Sequence, residues 1–130
     1  MAGTYLYHSH VKFQSVSASG PLIIEDPVQP LPYDEDKIIY LQDVFVKNDT
    51  TIEQELAARY NWSWSGESAM VLVNGKGGGS ANGTTCHASL STIDVQPGKT
   101  YRLRFIGATA LTFASLAIED HLMTIIQADG

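Results

Sequence analysis

The sequence predicts an all-β chain, a β-sandwich or Greek-key barrel with one short helix, and three observations predict it. Short apolar runs recur along the whole length, turns rich in glycine, proline or acidic residues separate them, and a single stretch carries helical periodicity. Many short strands with little helix read as a sandwich or Greek-key barrel. At 130 residues, with 44% hydrophobic and 17% charged side chains, the chain is long and apolar enough to bury one core.

The first element is a strand over residues 4–10. Side chains alternate faces on a strand, so His8 and His10 point the same way, with Cα atoms roughly 6.5 to 7 Å apart at about 3.3 Å per residue. That spacing suits two neighbouring metal ions, one imidazole to each, because paired catalytic metals sit roughly 3.5 to 4 Å apart. A single ion does not easily use both rings. A polar loop over 15–19 leads to a second strand over 22–24. Residues 27–32 then hold three prolines, which lack amide donors and cannot feed a central sheet, so the segment reads as a linker.

Asp34-Glu35-Asp36 reads as a solvated turn before a strand over 37–44. Thr50-Thr51-Ile52-Glu53 resembles a capping box, and Ile52, Leu56 and Tyr60 give the short helix its apolar stripe. Further strands are predicted over 69–73, 90–95, 101–106, 113–118 and 121–127. The run from Gly75 to Gly83 contains Lys76 in the wrong order for a phosphate loop and reads as a flexible loop. Trp62, Trp64 and Met123 read as packing residues, and His121 as a hydrogen-bonded structural histidine.

Several functions are excluded. A formal charge of −6 argues against a nucleic-acid partner, whose phosphates favour a basic face. No apolar run approaches the ~20 residues that a membrane span requires. No signal peptide is read, since Met1-Ala2-Gly3 runs directly into the first strand. No Ser-His-Asp set or paired-carboxylate motif stands out. Three of the four asparagines, Asn48, Asn61 and Asn82, lie in glycosylation sequons, which favours export. Cys86 is the only cysteine; it reads as a buried thiol or as half of a disulfide with a partner outside the chain.

Gly3-Thr4-Tyr5-Leu6-Tyr7-His8-Ser9-His10, with Gln14 four residues later and Gly20-Pro21-Leu22-Ile23-Ile24-Glu25-Asp26 closing the segment, strongly resembles the second copper motif of multicopper oxidases. The likeness is greatest to the fungal laccase and ascorbate-oxidase branch. Residues 71–77, 95–104 and 124–130 resemble landmarks of that family's second cupredoxin domain. The resemblance implies a cupredoxin-like fold truncated at both ends: residues 1–26 as the C-terminal tail of a first cupredoxin domain, 27–32 as linker, and 33–130 as an incomplete second domain.

It also implies that His8 ligates one copper of a binuclear type 3 pair and His10 the other. The remaining ligands of the trinuclear cluster would come from other His-x-His-type motifs and a His-Cys-His segment outside this chain. Cys86-His87 lacks a preceding histidine, since Thr85 stands there, and does not read as a type 1 copper site. Relatives in the plant laccase branch carry a disulfide cysteine near Cys86. The implied activity of the complete protein is one-electron oxidation of a phenolic, ascorbate-like or metal-ion substrate, coupled to reduction of dioxygen to water. Its partners would be dioxygen, a small reducing substrate and the remaining cupredoxin domains. The implied location is extracellular, with any signal peptide upstream, and the isolated chain is expected to be inactive. The rival expectation is a cupredoxin-derived structural or binding module without catalysis.

Overall fold

A computed structural model describes residues 1–29, 31–81, 84–86 and 89–129. Among the described residues the fold is all-β with one short α-helix. Two strands, β1 (Gly3–His8) and β2 (Ser19–Ile24), form an antiparallel hairpin in which Gly3 faces Ile24 and His8 faces Ser19. The Ser9 amide donates to the Ala18 carbonyl at 2.8 Å. Hydrogen-bonded and non-bonded pairs alternate along an antiparallel ladder, so 7/20, 5/22 and 3/24 are bonded pairs while 8/19, 6/21 and 4/23 are not. Pro21 therefore occupies a position where its missing N–H costs β1 nothing. At the 7/20 pair the Tyr7 ring lies over Gly20, where an added Cβ would come within 2.5 Å of the phenol oxygen.

The central sheet has the order β4-β3-β7. Its middle strand β3 (Glu35–Val44) runs antiparallel to β4 (Met70–Val73) and parallel to β7 (Tyr101–Gly107). A small pair, β5 (Gly79–Ala81) and β6 (Thr84–Cys86), forms a third sheet. Between β3 and β4 lies α1 (Asp49–Ala57), whose Ile52 is fully buried.

Side chains two apart on a strand share a face. On β3 these are Asp36 and Tyr40, and on β7 Arg102, Arg104 and Ile106, with Asp36 opposite Arg102 and Tyr40 opposite Ile106. This face receives the hairpin: Leu6 and Ile23 pack against a buried cluster of Tyr40, Ile106 and Ala108. Apolar burial of this kind is worth about 25 cal/mol per Å² removed from water, which makes the hairpin a part of the same core.

Several expectations change. β1 ends at His8, so His10 lies beyond the strand. Glu35 and Asp36 are strand residues rather than a solvated turn. The helix is capped by Asn48, whose side chain accepts from the Thr51 amide, and not by Thr50. Glu53 is then free to reach elsewhere, and Tyr60 falls past the helix end and is exposed. Residues 90–95, 113–118 and 121–127 form no strand. Their apolar side chains alternate, but a strand is held by its neighbour's ladder, and among the described residues none pairs with them. Phe113 and Leu122 are almost wholly exposed. The glycine-rich run is not simply a loop: Asn74 and Gly75, both at positive φ, turn the chain out of β4, and β5 begins at Gly79.

Candidate metal centre

His8 ends β1, and His10 begins the connection to β2; both side chains are exposed. Their ring centroids are 6.1 Å apart with planes tilted by 32°, so the predicted pairing of the two imidazoles is present although only one of them sits on the strand. His8 Nδ1 lies 3.0 Å from the Ser9 carbonyl oxygen. A carbonyl only accepts, so Nδ1 is the protonated nitrogen of the neutral ring, the tautomer in which Nε2 is the metal-ligating atom.

The connection is held in shape by its own side chains and by α1. Ser9 Oγ donates to Gln14 Oε1 at 3.0 Å and accepts from the Val11 amide at 3.3 Å. Lys12 takes the left-handed conformation, with φ at 52°, and a 3-10 turn follows over Gln14–Val16. Phe13 is buried edge-on against Phe45, with ring centroids 6.1 Å apart. Its amide donates to Glu53 Oε1 at 2.8 Å, which is where the glutamate released from capping goes.

A charged cluster fastens the far end of the hairpin. Arg104, with only 5% of its side chain exposed, donates to Thr4 Oγ1 at 2.7 Å and pairs with Asp36 at 3.0 Å and Glu25 at 3.4 Å. Arg102 pairs with Asp36 through two nitrogens and lies 4.2 Å from the centroid of the Tyr33 ring. The Arg102 hydrogen bond holds the Asp36 carboxyl below its ordinary range, and Arg104 adds to this against the opposing effect of burial. The same contact raises Arg102. On the sheet's rim, hydrogen bonds from Lys37 and Lys99 lower Glu35.

The other predicted positions are scattered. Asn48 and Asn61 are exposed, whereas Asn82 and His87 lie outside the described residues; Cys86 is placed in β6. Trp62, Trp64 and Met123 are substantially exposed rather than packed. His121 donates from Nδ1 to the Glu119 carbonyl at 2.7 Å. Among the described residues no cluster of three or more His, Cys, Asp or Glu side chains is arranged to hold a metal ion, so His8 and His10 stand as a pair. Sequence reasoning missed Arg104, Asp36 and Asp43. The alternation of Arg102 with Arg104 on a predicted strand was the signal for the first two. Asp43, 1% exposed, accepts from the amides of Ala110, Leu111 and Thr112, a contact with a distant loop that no local pattern announces.

Residues 35–130 match the family profile described as "Multicopper oxidase". The chain belongs to the multicopper oxidase family. Its match to "Multicopper oxidase aurL2" of Gibberella zeae is 44% identical, covering 99% of this chain and 22% of the relative. "Laccase-like multicopper oxidase 1" of Thermothelomyces thermophilus is 38% identical, over 99% of this chain and 26% of the relative. "L-ascorbate oxidase" of Cucumis sativus is 33% identical, over 99% and 25%. The chain thus spans about a quarter of the length of these multicopper oxidases.

Membership accounts for the all-β, cupredoxin-like fold and makes copper the cofactor to test against the site. The donor set fits: imidazole suits copper, the Nδ1 contact of His8 favours the tautomer that ligates through Nε2, and the rings of both histidines are open to approach. No helix among the described residues is long and apolar enough to cross a membrane.

Proposed function

We propose that this chain is part of a copper-dependent oxidase in which His8 and His10 each hold one ion of a type 3 copper pair. The observation that carries this reading is the pair of rings 6.1 Å apart at the end of the hairpin. Copper, cycling between two oxidation states, supplies one-electron chemistry when bound. This chain's residues supply position: the Ser9 carbonyl fixes the His8 tautomer, and the Ser9–Gln14 contact shapes the turn that carries His10.

The remaining ligands of a trinuclear cluster are assigned to other parts of the polypeptide, with residues 1–26 ending one cupredoxin unit and 33–130 belonging to the next. The start of the family match at residue 35, just past the proline-rich segment, supports that division. So does the hairpin's outer face, where Tyr7, Leu22 and Ile24 are left exposed for further protein to cover. The reaction of the whole protein is then one-electron oxidation of a phenolic, ascorbate-like or metal-ion substrate with reduction of dioxygen to water. Secretion and N-glycosylation belong to the same reading. Asn48 caps α1 through Oδ1 alone, leaving Nδ2 free to carry a glycan, and Asn61 is exposed. Cys86 is assigned a disulfide partner in the rest of the polypeptide.

His8→Ala and His10→Ala in the full-length protein test the central claim. Each is expected to lower bound copper, measured by metal analysis, and to abolish dioxygen uptake with a reducing substrate. Retention of the full copper complement by both variants would sink the proposal.

A further inference from the structure

The histidine pair sits at the loop end of a two-stranded hairpin, a structure of marginal stability by itself. Something outside the hairpin must hold that end, and the point of attachment can be read from the ladder. Ser19 is the residue directly across from His8. Because 8/19 is a non-hydrogen-bonded pair, the two Cα atoms lie about 4.5 Å apart and their side chains emerge close together on one face. On that face Tyr40 donates its hydroxyl to Ser19 Oγ at 2.7 Å.

Tyr40 is a rigid donor. Its ring is buried against Ile106 and Ala108 in the central sheet. Its backbone is gripped by Asn74, whose Oδ1 accepts from the Tyr40 amide at 2.8 Å and whose own amide donates to the Tyr40 carbonyl at 2.8 Å. The side-chain amide of Asn74 also donates to the Ile38 carbonyl at 3.0 Å, so one asparagine continues the ladder where β4 stops. A phenol fixed at both backbone and ring loses little further freedom when it makes its hydrogen bond, and it transmits the position of the sheet to the strand end that bears His8.

We infer that Tyr40, acting through Ser19, is a positioning residue for the His8–His10 pair. It fixes the strand opposite His8, so β3 sets the position of one ring while the Ser9–Gln14 turn sets that of the other. The inference rests on the copper reading of His8 and His10 proposed above.

The test uses the full-length, copper-loaded protein. Tyr40→Phe removes one oxygen and keeps the ring, and Ser19→Ala removes the acceptor. Loss of copper to an external chelator is expected to accelerate several-fold in each variant, below the 10–100-fold typical of groups that touch a ligand directly. Tyr40→Phe combined with Ser19→Ala is expected to be no worse than either alone, since both cut the same contact. Ser19→Thr, which restores a hydroxyl, is expected to recover most of the lost retention. In the metal-free protein, labelled histidine ring resonances of His8 should broaden or shift in Tyr40→Phe while the thermal midpoint stays within a few degrees. Copper loss at the wild-type rate, or unchanged ring resonances, in Tyr40→Phe would overturn the inference. If His8→Ala and His10→Ala lower copper but Tyr40→Phe does not change its retention, only this inference fails. If the histidine variants keep their copper, the functional reading fails and takes this one with it.

Discussion

Two stretches border the central sheet, and they meet different fates. The hairpin of β1 and β2 places Leu6 and Ile23 on the sheet, anchors Thr4 to Arg104 and ends at Tyr40. Residues 113–127 have comparable apolar alternation, yet Phe113, Leu122 and Ile125 are largely exposed, and no strand forms. Asp43 fastens the start of that stretch by accepting three consecutive amides, and beyond Thr112 the described contacts thin to Gln127 reaching the Ala2 carbonyl at 3.4 Å. The difference teaches that apolar alternation specifies which face is buried, while pairing and buried polar anchors decide whether a strand exists at all.

Breaking the hairpin's anchor should have the largest effect. Arg104→Ala removes a nearly buried guanidinium that bonds Thr4, Asp36 and Glu25, while Asp36 keeps Arg102 and Glu25 stays open to solvent; hydrogen bonds to charged groups are worth about 1.5–3 kcal/mol each. Denaturant unfolding of the full-length protein should show a loss of that order, with residues 3–24 becoming the first to exchange amide hydrogens. Asp43→Ala should cost less. It removes the acceptor of three amides on half-buried residues that water can reach, so the net loss is about 1–3 kcal/mol, and the exchange it speeds should be confined to residues 108–112.

Acid offers a graded version of the first experiment. Asp36 is held below its ordinary value of 3.8, so the stability it contributes is complete above about pH 4 and is lost as pH falls through the lowered value. A fluorescence or circular-dichroism titration should show the hairpin loosening only below that point; loosening at pH 5 to 6 would assign the effect to other groups. The smallest expected change is Asn48→Ala, which removes the helix cap and should cost about 1 kcal/mol, read as a drop in thermal midpoint. It should leave the hairpin's amide protection unchanged.

These contrasts explain what could be read in advance. The cores of β3 and β7 were legible because Ile38 to Leu41 and Leu103 to Ile106 combine β-favouring residues with turn signals on either side. The histidine pair was legible because it is local, two positions apart on an extended run. Asp36 was misread because three consecutive acidic residues look solvated until a strand 66 residues later supplies the arginines. Likewise His10 was put on the strand because nothing local marks β1 as ending at His8, where Lys12 turns the chain back. A long-range partner governed the Asp36 miss, and an unmarked local turn governed that of His10.

Parallel pairing of β3 with β7 has a consequence for how the protein comes into being. The hairpin leaves the ribosome before β7 does, and Arg104, which secures Thr4, follows that residue by 100 positions. Contacts that distant in sequence make closure slow. A nascent chain would therefore carry the His8 and His10 imidazoles without this anchor until translation has passed β7, and this chain's share of the metal-binding geometry would be fixed only then.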